Sequence, residues 1–148
     1  MSHLPVTRIV VGTDFSPGSD AAFAHALALA EAFHAALDIV HVIDSGAVTS
    51  PVFLGALTMV DADSIFTSID DALTKRSERA AAAGVVCQTN SLDGFPAKEL
   101  VRHAAKTGAD LIVVGTHGRT GLEHVLLGSV AERVVQRSAC PVLVVPQK

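Results

Sequence analysis

Five short runs rich in β-branched residues alternate with helix-like segments along this chain, and no other feature constrains its fold as strongly. The runs are "TRIVVG", "LDIVHVI", "GVVCQTN", "ADLIVVG" and "CPVLVVP", which begin at Thr7, Leu37, Gly84, Ala109 and Cys140. Most of them are continuously apolar, as is typical of parallel strands that are covered on both faces. The pattern therefore predicts five buried strands.

Four segments with helical periodicity separate these runs, at 17–35, about 64–83, 95–108 and 129–138. Strands that alternate with helices in this way predict an α/β fold of three layers, α/β/α, with a doubly wound five-stranded parallel sheet. The apolar stripe of the first helix comprises Ala22, Phe23, Ala26, Leu27, Ala30 and Phe33. In the second helix, Ile65, Ile69, Leu73 and Ala80 are predicted to face inward.

Right-handed crossovers leave two Rossmann-like, flavodoxin-like strand orders, 3-2-1-4-5 and 2-1-3-4-5. We favour 3-2-1-4-5, because it places the ends of the first and fourth strands on either side of the crevice where such sheets bind ligands. The stretches "GTDFSPG" and "GTHGRTG", which are rich in glycine, follow these two strands. The length of 148 residues favours one domain, 1–148.

Composition excludes several classes of function. The net charge is −4 and the basic residues are scattered singly, so no surface for nucleic acid is expected. The chain shows no signal-peptide pattern and no apolar stretch of about 20 residues, which predicts a cytoplasmic protein without membrane insertion. Cys87 and Cys140 lie in apolar runs and are predicted to be buried free thiols. The histidines lack the spacing of a zinc site.

The stretch "GTHGRTG", from Gly115, follows the fourth strand, and "GSVAERVV", from Gly128, begins the last helix. Gly115 is expected to let the chain turn off the strand, and Gly118 to let backbone N–H groups approach a ligand. The start of the last helix presents unpaired N–H groups and a positive dipole end, which suit a phosphate. The guanidinium of Arg119 is suited to the terminal phosphate.

Asp14 ends "GTD" after the first strand, across the crevice from these glycines. Its carboxylate is suited to ribose hydroxyls, or to Mg²⁺ held beside phosphates. Structural alternatives remain open for each feature. Asp14 fits as the N-terminal carboxylate of the first helix, Ser129 and Glu132 as a capping box, and Gly115 and Gly121 as ordinary turn glycines.

Two common nucleotide motifs do not match. The P-loop requires a lysine before its Ser or Thr, whereas Leu127 and Gly128 precede Ser129. The dinucleotide motif GxGxxG should follow the first strand, where this chain has "GTDFSPG".

The pattern G-x2-G-x9-G-[ST], formed by Gly115, Gly118, Gly128 and Ser129, resembles the ATP-binding branch of the universal stress protein family. The stretches "VVGTDFSPGSDAA" and "SACPVLVVP" extend the resemblance over essentially the whole chain. It implies the 3-2-1-4-5 order and an adenine nucleotide in the crevice. It also implies a homodimer that pairs through the strand "PVLVVP"; an edge blunted by Pro146 and Lys148 is the competing interpretation.

The resemblance also implies a role for each site residue. Backbone groups of Val42 would bond the adenine edge with Gly12 and Thr13 nearby, and Asp14 and Gly115 would hold the ribose. The phosphates would be lined by Gly118, Arg119, Gly128, Ser129 and Val130. The remaining loop residues, with main-chain contacts to ligand, would be Thr116, His117, Thr120 and Gly121.

Two questions stay open at this level. The apolar connection 44–63 fits a short extra helix packed on the domain, a lid, or a partner surface. The function fits a regulatory ATP-binding module with slow or absent hydrolysis, in which His117 is a loop residue and not a catalytic base. The alternatives are a slow Mg²⁺-dependent ATP phosphohydrolase or phosphotransfer enzyme, and a nucleotide-independent scaffold or chaperone-like dimer.

Overall fold

The computed structural model describes residues 5–57, 59, 61–117 and 127–147. The strands are β1 (Arg8–Gly12), β2 (Ala36–Asp44), β3 (Cys87–Gly94), β4 (Leu111–Gly115) and β5 (Val142–Val145). The helices are α1 (Pro17–Phe33), α2 (Ser45–Val48), α3 (Pro51–Leu57), α4 (Ala62–Ala82), α5 (Pro96–Thr107) and α6 (Ser129–Arg137).

The five strands form one parallel sheet in the order β3-β2-β1-β4-β5, as predicted. At its centre, Val11 of β1 is aligned with Ile39 of β2 on one side and Val113 of β4 on the other. The winding reverses at β1, because the chain moves outward in one direction through β2 and β3 and then returns to β4. The carboxyl ends of β1 and β4 therefore border the ligand crevice of a doubly wound sheet.

Side chains that alternate along the strands build a hydrophobic core on each face of the sheet. On one face, Ile9 and Val11 pack with Phe23 of α1 and Leu73 of α4. On the other face, Val10 and Val40 pack with residues of α5 and α6, including Leu100 and Val134. These two cores establish the three layers that the alternation of strands and helices predicts.

Two details of the predicted elements are wrong. Phe33 is half-exposed at the last turn of α1, whereas Ile69 of α4 packs against the core as predicted and Ile65 is partly buried. The third strand begins at Cys87 and not at Gly84, because Gly84 has φ +75 in the turn after α4. β3 is an edge strand that is exposed at alternate positions, so its polar sequence "CQTNSLDG" still forms a strand.

A buried charge cluster lies toward the amino ends of the strands. Asp38 is 1% exposed and accepts two hydrogen bonds from Arg8 Nη1, at 2.9 and 3.0 Å. His103 of α5 approaches the same carboxylate, with Nε2 3.3 Å from Oδ2. The cluster joins two neighbouring strands to the helix that covers them, far along β2 from the crevice.

The connection 44–63 contains α2 and α3 and then leads into α4. Asp44 caps α2 by accepting a hydrogen bond from Gly46 N at 2.9 Å. Extra helical structure was therefore a correct expectation, although Val52 of α3 is 84% exposed and Met59 after it is 88% exposed. Within the described ranges, no helix combines the length and the apolar character that crossing a membrane requires.

Cys87 and Cys140 are both free, and each is partly exposed, not fully buried as expected. Burial raises the pKa of Cys87 to about 11, and the nearby charge of Asp38 adds to the rise. The Cys87 thiol is therefore protonated at neutral pH.

Candidate functional site

The carboxyl end of β1 stops short of the end of β2, which leaves part of β2 facing the crevice. The last contact between them is a hydrogen bond of 2.9 Å from Thr13 N to Val40 O. Backbone groups of alternate residues in a strand point to the same side. Val42, two residues further on, therefore turns its N–H and C=O to the same side as Val40 O, beyond the end of β1.

Thr13 is buried at the end of β1 and its side chain turns into the protein. Its Oγ1 lies 3.1 Å from the hydroxyl of Ser19 in α1 and accepts a hydrogen bond of 3.1 Å from Phe15 N. The Thr13 side chain thus joins β1 to the first turn of α1.

Asp14 follows directly and is partly exposed at the crevice. Its Oδ1 accepts a hydrogen bond of 3.0 Å from Ser16 N, which closes an Asx turn. Ser16, not Asp14, caps α1, because its hydroxyl accepts from Ser19 N at 3.3 Å. The helix-capping alternative for Asp14 is therefore wrong, and its carboxylate is oriented by the turn.

Two residues that hold this turn, Phe15 and His41, were not predicted from the sequence. Phe15 has φ 64, a conformation that bulky side chains rarely adopt. Its ring stacks on the imidazole of His41, with centroids 4.5 Å apart, and His41 Nδ1 lies 2.9 Å from Thr13 O. The only available signal was a histidine inside the apolar run "LDIVHVI".

The two sides of the crevice are joined by unusually close backbone contacts. A Cβ atom on Gly115 would lie 2.8 Å from Gly18 O, and one on Gly18 would lie 2.7 Å from His117 O. A Cβ atom on Gly128 would lie 2.7 Å from Thr116 O, to which Gly128 N donates a hydrogen bond of 2.5 Å. The first turn of α1, the end of β4 and the start of α6 therefore meet at one place.

These contacts explain why two motif positions are glycine, and the explanation differs from the predicted one. Gly115 is not among the glycines with positive φ in the described residues, so a sharp turn does not require it. Close packing of protein backbone requires it, as it does Gly128. Gly12 is similarly close to Leu100, whose Cδ2 would lie 3.0 Å from an added Cβ.

The N-terminus of α6 lies at the same edge of the sheet. Gly128 occupies the N-cap position and Ser129 is the first helical residue, so the predicted Ser129–Glu132 capping box is wrong. Glu132 N instead donates to Gly128 O at 3.0 Å. Ser129 and Val130 are exposed, with the first N–H groups of the helix beside them.

The structure therefore brings most of the predicted site residues to one edge of the sheet. Those that it places there are Gly12, Thr13, Asp14, Val42, Gly115, Thr116, His117, Gly128, Ser129 and Val130. The predicted Gly118, Arg119, Thr120 and Gly121 lie outside the described residues. Among the residues that are described, no cluster of three or more His, Cys, Asp or Glu side chains suits a metal ion. Asp14 alone would have to supply a protein ligand for Mg²⁺, and this ion accepts a single carboxylate when phosphates provide the rest.

Known proteins match this chain along nearly its whole length. A model described as the universal stress protein family matches residues 5–146. Universal stress protein MJ0531 of Methanocaldococcus jannaschii is 41% identical over 138 residues, which cover 93% of this chain and 81% of the relative.

Two solved structures share the architecture. The universal stress protein UspA from Lactobacillus plantarum superimposes with a TM-score of 0.83 at 28% identity, covering 97% of this chain and 99% of that one. A universal stress protein in complex with cAMP gives a TM-score of 0.69 at 29% identity, with the same coverage of 97% and 99%.

Proposed function

Because the chain belongs to the universal stress protein family, we propose that it is a regulatory stress-response module that binds an adenine nucleotide, with ATP the favoured ligand. The nucleotide would lie in the crevice between β1 and β4. One observation carries the proposal: Asp14, the backbone of Val42 and the N-terminus of α6 are three groups of different chemistry that open on the same edge of the sheet.

Each group suits one part of an adenine nucleotide. The N–H and C=O of Val42 present a donor and an acceptor side by side, as the edge of adenine does. The Asp14 carboxylate is suited to accept hydrogen bonds from the ribose hydroxyls. The phosphates would lie at Gly128, Ser129 and Val130, where helix N–H groups and the helix dipole favour an anion. Gly118 and Arg119 complete the proposed phosphate site.

A relative supports the class of ligand. The universal stress protein of known structure that is 29% identical to this chain holds cAMP, which is an adenine nucleotide with a single phosphate. The same fold therefore accommodates adenine, ribose and phosphate together. For this chain, Mg²⁺ would bind between Asp14 and the phosphates of ATP.

We expect hydrolysis to be slow or absent. Phosphoryl transfer requires a positioned water and several charges that stabilise the transition state. Among the predicted site residues that the structure describes, the ionisable side chains are those of Asp14 and His117. A single pair of this kind suits binding better than catalysis, so a slow phosphohydrolase remains the enzyme alternative.

One observation favours the scaffold alternative. Gly12, Gly115 and Gly128 are each accounted for by packing within the protein, so their presence alone does not require a ligand. A scaffold would use the same fold without a nucleotide. The distinction therefore has to be made by measuring binding.

We also propose that the chain forms a homodimer through β5. In the part of the chain that the structure describes, this strand lies at the edge of the sheet beside β4, and Val142, Leu143 and Val144 are partly exposed. An apolar strand edge of this kind favours pairing with a second chain. Light scattering of the purified protein should give twice the mass of the 15.3 kDa chain.

The nucleotide released by denaturing the purified protein should be identified first, followed by calorimetric titration of the emptied protein with ATP and with GTP. We expect an adenine nucleotide in the extract and tighter binding of ATP than of GTP. An empty protein that ATP neither binds nor stabilises against heat would favour the scaffold. Phosphate release at about 1 per second or faster, abolished by Asp14→Ala, would favour the enzyme.

A further inference from the structure

We propose that His41 is a positioning residue of the nucleotide site, which holds the turn Thr13–Phe15 so that the Asp14 carboxylate faces the ligand. The inference rests on the proposed function, because it assigns His41 a role in that same site. His41 is 7% exposed and lies in β2, one residue before Val42. It thus belongs to the strand that would bind the adenine.

Two hydrogen bonds from β2 hold the residue that precedes Asp14. Thr13 N donates to Val40 O at 2.9 Å, and Thr13 O lies 2.9 Å from Nδ1 of His41. Because a carbonyl oxygen only accepts, the imidazole must carry its hydrogen on Nδ1. Two consecutive residues of β2 therefore hold both backbone groups of the residue that precedes Asp14.

The residue that follows Asp14 has an unusual backbone conformation. Phe15 has φ 64, and a bulky residue persists there only when its surroundings enforce it. Its ring stacks on His41, and the guanidinium carbon of Arg76 lies 4.9 Å from the ring centroid. Arg76 is itself held by an ion pair with Asp20 of α1.

Asp14 therefore lies between two residues that His41 fixes in different ways, one by a hydrogen bond and one by stacking. Without His41, Phe15 would be released toward the more favourable negative φ region, and the carboxylate of Asp14 would turn with it. The turn would then be flexible in the free protein, and the conformational entropy lost when the ligand orders it would weaken binding. An apolar residue, such as Ile39 on the same face of β2, would fill the space of His41. It would not supply the Nδ1–H that donates to Thr13 O.

The test compares His41→Asn with His41→Gln in the full chain. The amide nitrogen of asparagine can occupy the place of Nδ1, whereas that of glutamine corresponds to Nε2. We expect His41→Asn to bind ATP within about threefold of the natural chain, and His41→Gln to bind about tenfold more weakly, the scale of one lost hydrogen bond. His25→Gln is the matched control, because His25 Nδ1 also lies 2.9 Å from a carbonyl oxygen, that of Ala21, but on the exposed side of α1.

A second measurement does not depend on ligand. Phe15 N donates to Thr13 Oγ1 and Ser16 N donates to Asp14 Oδ1, so exchange of these two amide hydrogens reports on the turn. Both should exchange faster in His41→Gln than in His41→Asn. If His41→Gln does not fold, Phe15→Leu, which removes the stacked ring, should weaken ATP binding by about fivefold.

The possible results separate the two proposals. If the natural chain fails to bind ATP, the proposed function is wrong, and the exchange rates alone decide whether His41 orders the turn. If the natural chain binds ATP but His41→Gln binds it equally well, the role of His41 is wrong. Equal weakening by His41→Asn and His41→Gln, or an unchanged affinity in Phe15→Leu, would also overturn it.

Discussion

The backbone of Gly18 lies so close to Gly115 that a Cβ atom on Gly115 would stand 2.8 Å from the carbonyl oxygen of Gly18. This contact joins the first turn of α1 to the end of β4, beside the crevice. The glycine that begins the motif therefore has a structural role that precedes any ligand. The role of Gly115 can therefore be tested by measuring protein stability as well as nucleotide binding.

Replacing Gly115 by alanine should lower the free energy of unfolding by about 1–3 kcal/mol, because backbone atoms must move to admit the methyl group. Urea denaturation measures the change. Gly55→Ala in α3 is the control, since among the described residues beyond its chain neighbours and its own helix backbone no heavy atom lies within 4 Å of a Cβ there, and alanine favours a helix. Equal stability of the Gly115→Ala and natural proteins would show that the close contact is not maintained in solution.

Replacing Asp14 by alanine should weaken ATP binding by about tenfold while leaving the melting temperature nearly unchanged, because a partly exposed carboxylate would lose its bonds to ribose. The affinity for 2′,3′-dideoxy-ATP should change much less, since that ligand lacks the hydroxyls that Asp14 would bind. Asp93→Ala is the control, as it removes an exposed carboxylate near the end of β3. Equal losses for both ligands would contradict the ribose assignment.

Replacing Asp38 by alanine should lower the free energy of unfolding by about 2–4 kcal/mol, because the substitution leaves Arg8 and His103 without their shared carboxylate. The comparison is Arg102→Ala, which breaks an exposed pair with Glu99 whose N···O distance is 3.7 Å. The Arg102→Ala substitution should lower the free energy of unfolding by less than about 0.5 kcal/mol. Similar small losses in both variants would mean that the buried cluster contributes little.

The thiol of Cys87 should react slowly, because burial raises its pKa to about 11. At pH 8 a thiolate fraction on the order of one in a thousand is expected, so labelling of Cys140→Ser by a disulfide reagent should be roughly a hundredfold slower than that of free cysteine. The rate should rise about tenfold per pH unit between pH 8 and 10. Unfolding in guanidinium should abolish the difference, and a rapid reaction of the folded chain at pH 8 would refute the pKa.

Much of the fold was predictable from local patterns. The runs around Val10, Ile39 and Val113 are apolar because both faces of the sheet are covered, and this condition is visible in the sequence itself. The start of β3 was misplaced because an edge strand needs only alternate buried positions, so "CQTNSLDG" has a weaker signal than the apolar residues before it.

The sequence predicted that the candidate site residues gather at one edge of the sheet, but it did not predict the details of their contacts. The spacing of Gly115, Gly118, Gly128 and Ser129 identified the family. The capping of α6 was wrong because Gly128 and not Ser129 takes the N-cap position, a difference of one residue that the pattern S-x-x-E cannot resolve. The contribution of His41 was not foreseen, because a buried histidine has no local pattern that distinguishes packing from support of a neighbouring turn.

The sequence alone determined the elements, their order along the chain and the family, because these depend on periodicity and spacing between nearby residues. Only the tertiary structure decided which glycines are required by backbone contacts and which side chains hold Asp14 in place. The physical reason is that Gly18 of α1 meets Gly115 at the end of β4, and His41 of β2 meets Thr13 after β1, so both contacts join residues far apart in the sequence. Contacts of this kind exist only after the strands have been paired in their final order.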